Sequence, residues 1–140
     1  MMKISVKRTL LGLTALSLAS TPLSVNATGK ALFEKLCATC HVSEGMPTKA
    51  PPMFAVINHV KGTYSDRDEF IERIVDWVWE PDASQTLMPG ALRRFGVMPK
   101  LGYDSDQVRL IAEYLFDDGP PLPDWYVERY RQMHGRDPVR

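Results

Sequence analysis

Apolar residues recur along this chain with the spacing of helices. Four stretches place them three and four positions apart: residues 29–40, 65–81, 104–119 and 124–135. No stretch alternates with the period of two that a half-buried strand requires. The pattern therefore predicts an all-α domain.

Local signals predict where several of these helices begin and end. Ser65 with Asp68 three positions later is an N-cap signature, and Pro81 ends that helix. The next helix is expected to start at Asp104 or Ser105 and to have Gly119 as its C-cap.

The segments between the helices are long for a chain of this size. From His41 to Gly62 the sequence is rich in Pro, Gly and small residues, and "APPMF" cannot continue a helix or a central strand. Residues 82–103 are expected to form a second long loop with a short helical turn around "GALRRF". Long loops and a thin aliphatic core indicate that something besides side chains fills the middle of the domain.

The first 27 residues have the composition of a secretion signal. A basic start precedes an apolar run at residues 9–19, and the small residues Val25 and Ala27 place cleavage after Ala27. This run is shorter than the about 20 residues of a membrane span. We therefore expect a periplasmic protein with no stable membrane insertion after cleavage, and a retained N-terminal anchor is the alternative.

The charge balance argues against one class of partner. The leader holds three of the 17 basic residues and none of the 17 acidic ones, so the mature chain carries 14 basic and 17 acidic residues, a net charge of −3. Bulk affinity for nucleic acid is not expected from such a chain.

Both cysteines of the chain stand in the motif "CATCH", where Cys37 and Cys40 are followed directly by His41. A disulfide between them would close too small a loop to stabilise the fold much. A redox dithiol of the thioredoxin type expects a βαβ setting, which the pattern does not show. A zinc site needs four ligands, and only His59 or His134 could complete the set.

The fourth interpretation of this motif is the attachment of a c-type haem, for which C-x-x-C-H is the known pattern. Two thiols about one helical turn apart can form thioethers to the two vinyl groups of the porphyrin, and His41 then stands beside the iron as the proximal ligand. Together with the leader and the all-α pattern, the motif predicts one covalently bound haem c attached through Cys37 and Cys40.

Further positions resemble the class I cytochromes c. The pattern G-x-x-x-F-x-x-x-C-x-x-C-H is matched by Gly29, Phe33, Cys37, Cys40 and His41. "VMPKLGYDSDQ" and "LIAEYL" resemble the ligand loop and C-terminal helix of that family. The resemblance covers residues 29–116 and implies a cytochrome c-like fold, with three to five helices and long loops wrapped around one haem.

The resemblance also implies how the haem iron is held. Pro51 or Pro52 of "APP" corresponds to the proline whose carbonyl accepts the N–H of the proximal histidine. Met98 is the expected distal ligand because its spacing to Tyr114 matches the family pattern. Met88, in "TLMPGA", is the less favoured alternative.

The implied organisation has three parts: a signal peptide at 1–27, a cytochrome c domain at 28–119, and a C-terminal extension at 120–140 with a short amphipathic helix. The implied function is one-electron transfer between redox protein partners, as a free shuttle or as a subunit of an oxidoreductase, without catalysis by the isolated chain. Two alternatives are a gas-binding or sensing haem protein with a displaceable methionine, and a docking subunit that uses the aromatic, basic tail.

Overall fold

The computed structural model describes residues 25–41 and 49–139, and this part of the chain contains α-helices and no β-strand. The helices are α1 (Val25–Leu36), α2 (Ala38–His41), α3 (Met53–Thr63), α4 (Arg67–Trp79), α5 (Pro89–Phe95), α6 (Ser105–Asp117) and α7 (Asp124–His134), with one 3-10 turn at Ala83–Gln85. The predicted all-α class is confirmed. The described helices outnumber the three to five expected, because α2 is a single turn and α3 occupies a segment expected to be loop.

Helix α6 is the centre of the domain, since it packs closely against both α1 and α4. At the α1–α6 crossing a Cβ on Gly29 would overlap the carbonyl oxygen of Leu110 and lie 2.7 Å from the Cβ of Tyr114. The rings of Phe33 and Tyr114 meet beside it, with their centroids 5.9 Å apart. The small residue and the two aromatic rings thus allow α1 and α6 to cross closely.

Two predicted helix ends need correction. The cap of α4 is Asp66 instead of Ser65, because the Asp66 carboxylate accepts hydrogen bonds from the backbone N–H groups of Asp68 and Glu69. Gly119 does not adopt the left-handed conformation of a C-cap glycine. It is required for space, since a Cβ there would lie 2.6 Å from the Leu115 carbonyl oxygen.

The prediction of a continuous loop from His41 to Gly62 was wrong for its second half. Helix α3 begins directly after the two prolines, and the Pro52 carbonyl accepts the backbone N–H groups of Ala55 and Val56. The prolines therefore precede the helix and do not interrupt it, which is the position that a residue without an N–H tolerates best.

The C-terminal extension packs on α3. The Phe54 ring contacts Tyr126 at a centroid distance of 4.9 Å and Trp125 at 5.9 Å. Beside them Asn58, only 2% exposed, donates to the Tyr126 hydroxyl and accepts the N–H of Val139 at 2.7 Å. The aromatic face of α7 is therefore used within the chain.

The predicted signal peptide lies outside the described residues, except that residues 25–27 form the first turn of α1. Within the described ranges, no helix has the length and apolar character needed to cross a membrane.

Candidate functional site

A cavity of about 270 Å³ lies between α2, the start of α3, α4, α5 and α6. Its walls are mainly apolar side chains, among them Val60, Ile74 and Leu115. Six of the residues singled out from the sequence line it together: Cys37, Cys40, His41, Pro51, Met88 and Met98. One cavity therefore brings together almost all of the predicted site.

The break between α1 and α2 presents the motif to this cavity. The N–H of Cys37 still bonds to the Phe33 carbonyl at 2.9 Å, as in a continuing helix. The N–H groups of Cys40 and His41 then both bond to the Cys37 carbonyl, at 3.1 and 3.0 Å. This tight turn places both thiols and the imidazole at the same cavity wall.

The Cys37 thiol is held in its neutral form. Burial, and to a lesser degree the neighbouring Cys40, raises the pKa of Cys37 to about 11. A redox-active dithiol needs the opposite environment, in which the pKa of one thiol is lowered. The environment of Cys37 is therefore not that of a reactive thiol.

A backbone carbonyl orients the His41 ring. Its Nδ1 lies 2.8 Å from the Pro51 carbonyl oxygen, and since a carbonyl can only accept, Nδ1 carries the proton and donates it. Burial lowers the pKa of His41, and the hydrogen bond to Pro51 opposes this in part. The ring is thus a neutral imidazole whose Nε2 lone pair is available to a metal.

The two prolines have different positions. Pro51 lines the cavity and accepts the His41 hydrogen bond. Pro52 does not line the cavity, and its carbonyl caps α3. Of the two candidates, only Pro51 contacts the histidine ring.

The zinc interpretation has no support from the remaining histidines. His59 donates from Nδ1 to the Ala55 carbonyl in its own helix at 2.8 Å, and the His134 ring packs on Tyr130 with centroids 4.2 Å apart. Neither lines the cavity. Across residues 25–41 and 49–139, no group of three or more His, Cys, Asp or Glu side chains is placed to hold a metal ion.

Met88 and Met98 stand at the two ends of α5. Met88 is the N-cap residue of that helix, and Met98 follows its last residue, Phe95, by three positions. Both methionines are half-buried and both line the cavity. The structure thus presents two thioethers to one site.

Sequence reasoning missed a charged side chain in the cavity wall. The Arg73 guanidinium lies 5.1 Å from the centroid of the Trp77 ring, and its Nη2 donates to the Gln85 carbonyl at 2.6 Å. Arg73, Trp77 and Lys49 all line the cavity, whereas Trp79 is 58% exposed. The spacing of Arg73 four positions before Trp77, on the apolar face of α4, was the available signal.

Tyr103 is a second residue that the sequence reading passed over. It lines the cavity, and its hydroxyl donates to the Leu36 carbonyl at 3.0 Å, which ties the segment before α6 to the end of α1.

Comparison with known proteins identifies the family of this chain. The sequence model of the family described as "Cytochrome c" matches residues 26–117. The chain belongs to the cytochrome c family. Its cofactor is therefore covalently attached haem c, and Cys37 and Cys40 have the C-x-x-C spacing.

Two further findings concern relatives of this cytochrome. An uncharacterized protein of Aquifex aeolicus (strain VF5) is 28% identical to it, over 77% of this chain and 82% of the relative. No solved structure matches the chain.

The cavity fits a haem of this type. It combines two thiols, an imidazole nitrogen with a free lone pair and two thioethers within apolar walls. The charged side chains Arg73 and Lys49 at its wall are suited to the two propionates of the porphyrin.

Proposed function

We propose that this cytochrome is a periplasmic one-electron carrier with one haem c, attached through Cys37 and Cys40 and held at the iron by His41 and Met98. The observation that carries the proposal is the 2.8 Å hydrogen bond from His41 Nδ1 to the Pro51 carbonyl. It leaves Nε2 free in the same cavity as the two thiols and Met98.

Bound haem supplies an iron that takes up and releases one electron. The side chains determine how readily it does so. The Met98 thioether is a soft, neutral donor that favours ferrous iron, and the apolar walls disfavour the additional positive charge of the ferric state. Both effects raise the reduction potential. With His41 and Met98 as protein ligands, no substrate would need to bind at the metal.

The basic residues on α5 indicate the chemistry of a partner. Arg93 and Arg94 are exposed at the C-terminal end of α5, next to the cavity-lining Phe95. Lys100 is less available, since it pairs with Glu80 and lies over the Trp79 ring. An acidic patch on a redox partner would be attracted to the arginine pair. The composition of the leader supports export to the periplasm.

An optical spectrum of the exported, matured protein tests the proposal. It is recorded for the ferric protein and for the ferrous protein with and without carbon monoxide. A long-wavelength sulfur-to-iron band and indifference to carbon monoxide are expected. A matured protein without haem, or with haem that lacks this band, would contradict the ligand assignment.

A gas-binding or sensing protein is the second candidate, and one observation favours it. None of the residues of α5, which connects Met88 to Met98, is fully buried. A loosely packed segment could release its ligand to carbon monoxide or nitric oxide. Rapid capture of carbon monoxide by the ferrous protein would favour this function over the carrier.

A further inference from the structure

The two candidate methionines occupy equivalent local settings. Each immediately precedes a proline, as Met88-Pro89 and Met98-Pro99, which biases its backbone toward extended conformations. The two dipeptides flank α5, and both methionine side chains line the cavity that also holds His41. The family pattern requires only one of these side chains as a ligand.

We propose that Met88 is a second axial donor, able to take the distal position at the iron when Met98 leaves it. This inference rests on the proposed function, since it assumes that His41 and a methionine hold the haem. In the exchange, the bond from the Met98 sulfur breaks and a bond from the Met88 sulfur forms. Neither thioether carries a proton, so the exchange takes up no proton and no electron.

The segment that carries both methionines is loosely held by the described helices. Seven residues long, α5 spans roughly 10 Å at the normal helical rise. No helix of the described part packs closely along it, whereas α6 packs closely on both α1 and α4. Its polar ties lie outside the helix, from Arg73 to Gln85 on one side and from Lys100 to Glu80 on the other.

The backbone after α5 offers points at which it can turn. Gly96 and Gly102 adopt φ values of +78° and +67°, and a Cβ on either would meet nothing within 4 Å. Because Met88 and Met98 flank α5, a displacement of this helix along its axis moves both side chains in the same direction along the cavity wall. Methionine suits such an exchange, because its unbranched side chain adapts to irregular space.

Other donors at the cavity wall are less suited to the distal position. Met53 lies two residues after Pro51, whose carbonyl holds the His41 ring, and it is packed in the core at 7% exposure. Lys49 lies on the same side, two residues before Pro51. The Tyr103 hydroxyl is engaged with the Leu36 carbonyl. Met88 is thus the donor that approaches from the same segment as Met98.

The test compares the sulfur-to-iron band in the full, haem-loaded protein and its variants. Met98→Leu preserves volume but removes the sulfur, and Met98→Ala opens space, so that a bulky leucine cannot mask the exchange. We expect the band to be present in at least one Met98 variant and in Met88→Leu. It should be absent from the double variant Met88→Leu/Met98→Ala. Met133→Leu, at a side chain 60% exposed on α7, is the matched control and keeps the band.

Selective 13C labelling of methionine methyl groups identifies the donor. In the ferrous protein the haem ring shifts the methyl resonance of an axial methionine far from all others. We expect a resonance at this position in Met98→Ala, and its disappearance when Met88 is also replaced. Covalent haem content after denaturation and far-UV helicity establish that each variant is loaded and folded.

The outcomes separate this inference from the proposed function. A wild-type protein without the band overturns both. If the wild-type protein has the band and both Met98 variants lack it, the inference is overturned and the proposed function is not. Loss of the band in Met88→Leu also overturns it, because Met88 or the pair would then be needed already in the resting state. Presence of the band in Met98→Ala also supports a thioether over Lys49, because an amine has no sulfur to give this band.

Discussion

The two sides of the cavity are built differently. On the His41 side, the motif lies at the end of α1, which crosses α6 so closely that Gly29 has no room for a Cβ. The ring itself is held by the Pro51 carbonyl at 2.8 Å. On the methionine side, α5 has no fully buried residue and no helix of the described chain packed closely along it.

This difference assigns separate tasks to the two sides. Covalent attachment and the proximal nitrogen need a frame that does not move, and the α1–α6 crossing provides it. Under the proposed ligation, the methionine side only has to bring a soft donor to the iron and exclude water. It can do so from a segment with low local stability, as is common for ligand-bearing loops. The predictions below test whether the contrast is real.

Removal of both thiols should have the largest effect. We expect Cys37→Ala/Cys40→Ala to contain no covalent haem and to lose cooperative thermal unfolding, because the cavity of about 270 Å³ then lacks its largest apolar element. Haem content under denaturing conditions and far-UV circular dichroism measure both effects. Unchanged helicity with a sharp melting transition would show that the helical frame is stable without its cofactor.

A methyl group at the α1–α6 crossing tests the His41 side of the cavity directly. Gly29→Ala should lower the free energy of unfolding by about 3 kcal/mol, since the new Cβ would overlap the Leu110 carbonyl and crowd Tyr114. Gly62→Ala is the matched control. Its Cβ would meet nothing within 4 Å, and we expect it to be unchanged or up to about 1 kcal/mol more stable. Equal denaturation midpoints for the two variants would refute the crossing as a tight contact.

The His41 side was also the part of the molecule that the sequence predicted best. Gly29 and Phe33 belong to the pattern matched in the sequence, and both lie at the crossing with Tyr114. Such positions are predictable because helical periodicity and a close approach leave direct marks on residue type.

The less predictable features depend on tertiary contacts. Helix α3 was missed because the two prolines before it signal a break equally well whether a loop or a helix follows. Arg73 gave only one signal, its spacing of four positions from Trp77, and its place in the cavity wall arises from the way α4 packs on α6. The docking of α7 on α3 depends on aromatic contacts between segments about 70 residues apart, such as Phe54 with Tyr126. The roles of His41, Pro51, Met88 and Met98 at the iron remain predictions.

Two leucines of the cavity wall allow a comparison with identical chemistry. Leu115 on α6 is 1% exposed, whereas Leu92 on α5 is half-buried, and both line the cavity. Leu115→Ala should cost about 3 kcal/mol of unfolding free energy and Leu92→Ala less than about 1 kcal/mol. Chemical denaturation of the haem-loaded proteins measures both values.

The two leucine variants should differ in the opposite order in their rates of carbon monoxide binding. Leu92→Ala is expected to bind carbon monoxide faster than wild type, because it loosens the segment that carries both methionines. A Leu92→Ala protein as strongly destabilised as Leu115→Ala would mean that α5 belongs to the rigid frame, and the contrast between the two sides would fail.

The C-terminal extension bears on the comparison of the His41 side with the methionine side. It lies outside the matched family region at 26–117 and adds to the His41 side. Asn58 is 2% exposed and gives both of its polar groups to this extension, its amide to the Tyr126 hydroxyl and its carbonyl oxygen to the Val139 N–H. Asn58→Ala should therefore cost about 2 kcal/mol of unfolding free energy, since it leaves the Val139 N–H without its partner and opens space beneath α7.

Gln132→Ala is the control. That side chain bonds to Glu128 within the exposed face of α7, and its removal should change stability by less than about 0.5 kcal/mol. The expected signature of Asn58→Ala is a lower denaturation midpoint and faster proteolysis near the C-terminus, with an unchanged haem spectrum. A changed spectrum with unaltered stability would instead connect the extension to the cavity, and α7 would then act on the ligand side of the molecule.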